Sequence, residues 1–111
     1  MGSDGWTDTS PAEFSVWIDS DSEPPCLGVA GELDLETCAP FRHALEELLE
    51  KSGSRLVLDF RRVTFMGSTG LREIARLMPK LEEVEIRAPQ PMVQRVFELA
   101  GLGSRLRITD G

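Results

Sequence analysis

Ser68 and Thr69 stand between Gly67 and Gly70, after the strand-like run Leu56-Val57-Leu58-Asp59-Phe60. Apolar residues at helical spacing follow: Leu71, Ile74, Ala75 and Met78. A strand-to-helix crossover of this kind leaves two hydroxyls beside the first turn of a helix. Such a hydroxyl either caps the helix, the role for which Ser and Thr are favoured, or is displayed for another protein to modify or grip. A second polar group, Glu32 and Asp34, follows Gly31 at alternate positions. Paired carboxylates do acid–base work when a pocket shifts their pKa values. No nucleophile–base pair accompanies them, and negative charge ahead of a helix N-terminus is the commoner role. Cys26 and Cys38 lack a CxxC spacing and His43 is the single histidine, so no metal site and no cofactor are expected. His43 falls on the polar side of a helix and reads as solvated. The two cysteines read as ordinary thiols in a reducing compartment. An enzyme is the least favoured class.

The elements that must position these groups can be read from periodicity. Residues 1–12, rich in Gly, Ser, Thr and Asp, read as a flexible leader with Trp6 as its one large apolar residue; residues 13–111 form one domain. Phe14, Val16 and Ile18 share a face of a first strand, and Cys26–Ala30 is its antiparallel partner across a loop containing Pro24 and Pro25. Gly31 is expected to end that second strand. A helix over about 37–51 carries the stripe Phe41, Ala44, Leu45, Leu48 and Leu49, with Pro40 in its first turn and Gly53 beyond its end. Arg55–Phe60 is apolar on successive residues at 56–58, as in a central strand covered on both faces. The helix after Gly70 is short because Pro79 cuts it off. Val84–Arg87 alternates as a strand, a helix over about 91–100 buries Val93, Val96, Phe97 and Ala100, and Leu106–Ile108 is a last edge strand. The order β-β-α-β-α-β-α-β implies an α/β fold: a mixed, mostly parallel sheet of about five strands with three helices, most of them on one face.

Composition narrows the class. The chain has 111 residues, 41% hydrophobic and 28% charged, with a net charge of −7. No apolar run approaches the ~20 residues that span a bilayer, so no membrane insertion is expected. The N-terminus has neither the basic start nor the apolar centre of a secretory signal. The acidic balance shows no footprint for nucleic acid. A cytoplasmic protein is the expectation.

Three stretches, in this order and on these elements, resemble the STAS domains, the sulfate-transporter and anti-sigma-factor-antagonist domains. The stretch Arg-Arg-Val-Thr-Phe-Met-Gly-Ser-Thr-Gly-Leu at 61–71 is similar to their signature. Gly31-Glu32-Leu33-Asp34 is similar to the motif after their second strand, and Val96–Leu102 to their last helix and its Gly-Leu exit. The resemblance covers roughly residues 13–109 and, by size, points to the free-standing bacterial anti-sigma factor antagonists. It implies a STAS-like single domain that is no enzyme but a partner switch. The partner is an anti-sigma factor that is also a serine kinase of the histidine-kinase-like ATPase type, with a serine phosphatase reversing the modification. Binding of the unphosphorylated antagonist would release a sigma factor. The phosphoacceptor aligns with Ser68, with Thr69 as the alternative. The partner-binding residues implied are Gly31, Glu32, Asp34, Met66, Gly67, Ser68, Thr69, Gly70 and Leu71. The chain departs from the pattern at Gly67, where the family usually has Asp.

That departure motivates a second expectation, a non-phosphorylated STAS scaffold or interaction subunit of a stressosome-like or lipid-transport complex. A third, a small nucleotide-binding domain, follows from the strand–Gly-rich loop–helix unit, but Gly-Ser-Thr-Gly lacks the Lys of a P-loop.

Overall fold

In the computed structural model, residues 14–110 are described; the expected leader at 1–12 and its Trp6 lie outside the described residues. The elements are β1 (Ser15–Asp19), β2 (Cys26–Leu33), α1 (Cys38–Ser52), β3 (Arg55–Met66), α2 (Ser68–Leu77), a 3-10 turn (Met78–Lys80), β4 (Glu83–Arg87), α3 (Pro91–Ala100) and β5 (Leu106–Thr109). They form one five-stranded sheet in the order β1-β2-β3-β4-β5. β1 is antiparallel to β2 and forms one edge; every other pair is parallel, and β5 forms the other edge.

The three helices share one face of the sheet. Phe60 of β3 meets Phe41 of α1 at a ring-centroid distance of 6.3 Å and Phe97 of α3 at 5.8 Å. Ile74 of α2 enters the same core. Leu27, Leu58 and Ile86, in register across β2, β3 and β4, are fully buried beneath the helices. The alternation of the pleat sends their neighbours Cys26, Val57 and Glu85 to the other face. That face carries a ladder of ion pairs: Asp59–Arg61 at 3.0 Å, Glu85–Arg87 at 3.1 Å, and Glu83–Arg107.

The helix ends follow their sequence signals. Gly53 takes φ 75° after α1 and Gly101 is left-handed after α3, conformations that glycine adopts without steric cost. α2 stops at Leu77, and Pro79 sits in the 3-10 turn beyond it.

Two strand boundaries correct the sequence reading. Gly31 does not end β2, which continues to Leu33. With φ 100° at Gly31, the strand irregularity there is one that glycine accommodates. β3 does not end at Phe60 but runs six residues further, to Met66. Its register against β2 slips twice. Gly28 to Ala30 is two steps while their partners Asp59 to Arg62 are three; Gly31 to Glu32 is one step while Val63 to Phe65 is two. Each slip is a bulge with one extra residue on β3, and each resets which residues point inward. The period-2 pattern therefore fails beyond Phe60 although the backbone remains paired.

Candidate functional site

The two bulges deliver the end of β3 to the exit of β2. Leu33 pairs with Met66, and one residue later the Gly67 N–H donates to the Leu33 carbonyl at 2.9 Å. Gly67 alone connects β3 to α2. Gly70 is buried directly on Leu33: a Cβ at position 70 would lie 2.7 Å from Leu33 Cγ and 3.2 Å from its carbonyl oxygen. Glycine is required there by close approach. The stretch 31–34 and the stretch 67–70, separate in sequence, thus meet through Leu33.

Ser68 is not the cap of α2. The cap position is Gly67, at φ −90° and ψ 179°, and no side chain caps the helix. Ser68 and Thr69 occupy the first helical turn, Ser68 exposed and Thr69 half-buried. Leu71 N–H closes the turn onto the Gly67 carbonyl at 3.2 Å. The N–H groups of residues 68–70 precede that bond and have no intrahelical acceptor. A hydroxyl therefore stands exposed beside unsatisfied donors at the positive end of a helix dipole, a setting suited to an anionic group.

The carboxylates play different parts. Glu32 is exposed. Asp34 is half-buried and organises the loop into α1: its Oδ1 accepts the Glu36 N–H at 3.1 Å, and its own N–H donates to Thr37 Oγ1 at 2.9 Å. Thr37 Oγ1 in turn donates to the Glu32 carbonyl at 2.8 Å. That network turns the chain and leaves Leu35 outermost, 73% exposed.

The apolar contacts expected at Met66 and Leu71 are placed differently. Met66 is 4% exposed and belongs to the core, because the second bulge points it inward. The same bulge turns Phe65 outward, 44% exposed, with its ring edge 3.5 Å from where a Cβ on Gly67 would stand. Leu71 is half-buried against the core. Phe65, against Gly67, and Leu35, in the loop that follows β2, are thus exposed large apolar side chains at the two strand ends that meet at Leu33 and Met66. Periodicity alone hides both, one behind a bulge and the other in a loop.

The remaining candidates lie elsewhere. Arg61 Nε pairs with Asp59 on the helix-free face, and its carbonyl accepts Gln90 Nε2 at 3.2 Å. His43 is exposed on α1. Cys38, at the start of α1, donates to the Leu35 carbonyl at 3.3 Å. Cys26 is buried, and burial pushes its thiol pKa up to about 11. Among the described residues no group of three His, Cys, Asp or Glu side chains is placed to hold a metal, and no helix is long and apolar enough to cross a membrane.

Residues 16–108 match the family described as "Mlab, STAS domain". The chain is 27% identical over 103 residues to the anti-sigma-F factor antagonist RsfB of Mycobacterium tuberculosis, covering 90% of this chain and 84% of that one. It is 31% identical over 86 residues to an anti-sigma-B factor antagonist of Listeria monocytogenes, covering 74% and 75%. Its fold superposes on the crystal structure of an anti-sigma factor antagonist from Mycobacterium paratuberculosis with a TM-score of 0.79, at 25% identity over 93% of this chain and 91% of the other. A five-stranded sheet with its helices on one face, a strand end that meets a Gly-Ser-Thr-Gly helix start, and a matched family over nearly the whole domain lead to one assignment: the chain belongs to the STAS domain family.

Proposed function

We propose that the chain is an anti-sigma factor antagonist that works as a partner switch. Its relatives in sequence and structure carry that name. The observation that supports the reading in this molecule is the exposed Ser68 hydroxyl on the uncapped first turn of α2, set against the exit of β2. In the unmodified state the partner, an anti-sigma factor with serine kinase activity, packs on this end of the domain, with Phe65 and Leu35 as apolar anchors and Glu32 on the rim. The kinase transfers the γ-phosphoryl group of ATP to Ser68 Oγ; the hydroxyl proton is lost and ADP leaves. A serine phosphatase restores the hydroxyl by hydrolysis.

A phosphate adds about −1.5 to −2 charges at neutral pH. The free N–H groups of α2 accommodate it, so the fold persists. A partner surface closed over Ser68 does not, because bulk and like charge now stand at the interface beside Glu32. The test uses the cognate anti-sigma kinase. With ATP, phosphate should map to Ser68 by mass spectrometry, and Ser68→Glu should weaken complex formation by ~tenfold or more. No modification at Ser68 or Thr69 would end the phosphoswitch reading.

Gly67 supports one other reading, a STAS scaffold that binds without being modified, since the carboxylate usual before the acceptor serine is missing. In that case the partner is bound, the chain stays unphosphorylated with ATP present, and the host complex contains STAS or transporter subunits rather than an ATPase.

A further inference from the structure

We propose that Arg72 is the intramolecular clamp for a phosphate on Ser68. The inference rests on the reading of Ser68 as phosphoacceptor and adds the residue that receives the charge. Ser68 and Arg72 are one turn apart on α2, and both are exposed. Residues four apart on a helix lie side by side, with Cβ atoms about 5–6 Å apart, and the order with the anion on the N-terminal side is the favourable one. The guanidinium fork matches phosphate oxygens two at a time.

The neighbouring charges single out Arg72. Arg76, the next cation along the stripe, is held by Glu73 at 2.9 Å, and Glu73 is held from α1 by Arg42 at 3.3 Å. Arg61 is held by Asp59. Among the described residues, Arg72 has no hydrogen-bond or ion-pair partner. The surrounding field makes a clamp useful: Glu32 and Asp34 flank Leu33, the residue on which Gly67 and Gly70 rest. A dianion added next to this acidic stretch gains from a cation that meets it. The first-turn N–H groups take one oxygen edge and Arg72 takes another. Phosphorylation then changes the surface twice, adding a dianion and withdrawing an exposed cation that a partner met before.

The test needs no kinase. Phosphoserine is placed at position 68 of the full chain by genetic encoding, and the second ionisation of the phosphate is followed by phosphorus NMR at low salt. A neighbouring guanidinium favours the doubly charged form. The phosphate pKa is therefore expected lower in the otherwise wild-type chain than in Arg72→Gln by about half a unit or more. Arg72→Lys should fall between the two, and Arg76→Gln should leave the value unchanged. Equal pKa values with and without Arg72 would overturn the clamp, as would an equal rise in Arg76→Gln, which would mean a diffuse field. A kinase that ignores Ser68 overturns the phosphoswitch while leaving this titration intact, so the two failures are separable.

Discussion

At the scale of single residues, two glycines three positions apart do different work. Gly67 is glycine without conformational need: its φ of −90° is open to any residue, and a Cβ there meets only the edge of Phe65 at 3.5 Å. Gly67→Asp should therefore be accepted. It supplies the missing cap and a charge at the positive end of α2, and it removes backbone freedom from the unfolded chain. A gain of about 0.5–1 kcal/mol is expected in the denaturation free energy; a loss would show that the Phe65 ring leaves no room. Gly70 is glycine by necessity, and Gly70→Ala forces Leu33 to move, so a loss of about 1–3 kcal/mol should appear in the same measurement. The sequence made Ser68 legible as a hydroxyl near a helix start. It did not reveal that Gly67 occupies the cap position and leaves Ser68 exposed, because the choice depends on where the strand stops, and that is set by pairing with β2.

At the scale of elements, periodicity located the helices, whose apolar stripes and glycine exits are local signals. It lost β3 after Phe60, because each bulge inserts a residue and shifts the inward phase. The cost of that loss fell on the site. Met66 and Leu71 were the expected apolar contacts; the bulge turns Met66 into the core and Phe65 outward. Phe65→Ala and Leu35→Ala should each weaken the partner complex by ~tenfold or more, as buried anchors of interfaces do, while the melting temperature of the free domain changes little. Titration calorimetry against the anti-sigma factor checks the first outcome and thermal denaturation the second. Unchanged affinity in both variants would move the interface away from the β2–α1 loop and the end of β3.

At the scale of the molecule, the sheet presents two unlike faces, and they answer differently to pH. On the helix-free face, burial holds the Cys26 thiol neutral, its pKa pushed up from 9.0 to about 11. A raised pKa means the fold favours the protonated thiol. The contribution is intact below pH 9 and is lost as pH rises from 9 through 11. On the same face, burial works to raise the Glu85 carboxyl, but the Thr109 hydroxyl at 2.8 Å, Arg87 and Arg107 outweigh it and hold the pKa below 4.5. That contribution is present above 4.5 and is lost as pH falls through the lowered pKa. Cys26→Ala should flatten the alkaline limb of a stability–pH curve and Glu85→Gln the acid limb. A curve from either variant parallel to wild type would detach that limb from its residue.

The order of the strands carries one more consequence. Open α/β sheets form ligand crevices where successive connections leave in opposite directions, so that two strand ends part. Here β1 to β5 follow one another across the sheet without reversal, with all three helices on one side. Among the described elements no two connections diverge to open a cleft above the strand ends. The Gly-Ser-Thr-Gly turn consequently lies on a rim and not in a mouth. A winding that never turns back sets the Gly-rich loop at an open end of the sheet, level with the exits of β2 and β3.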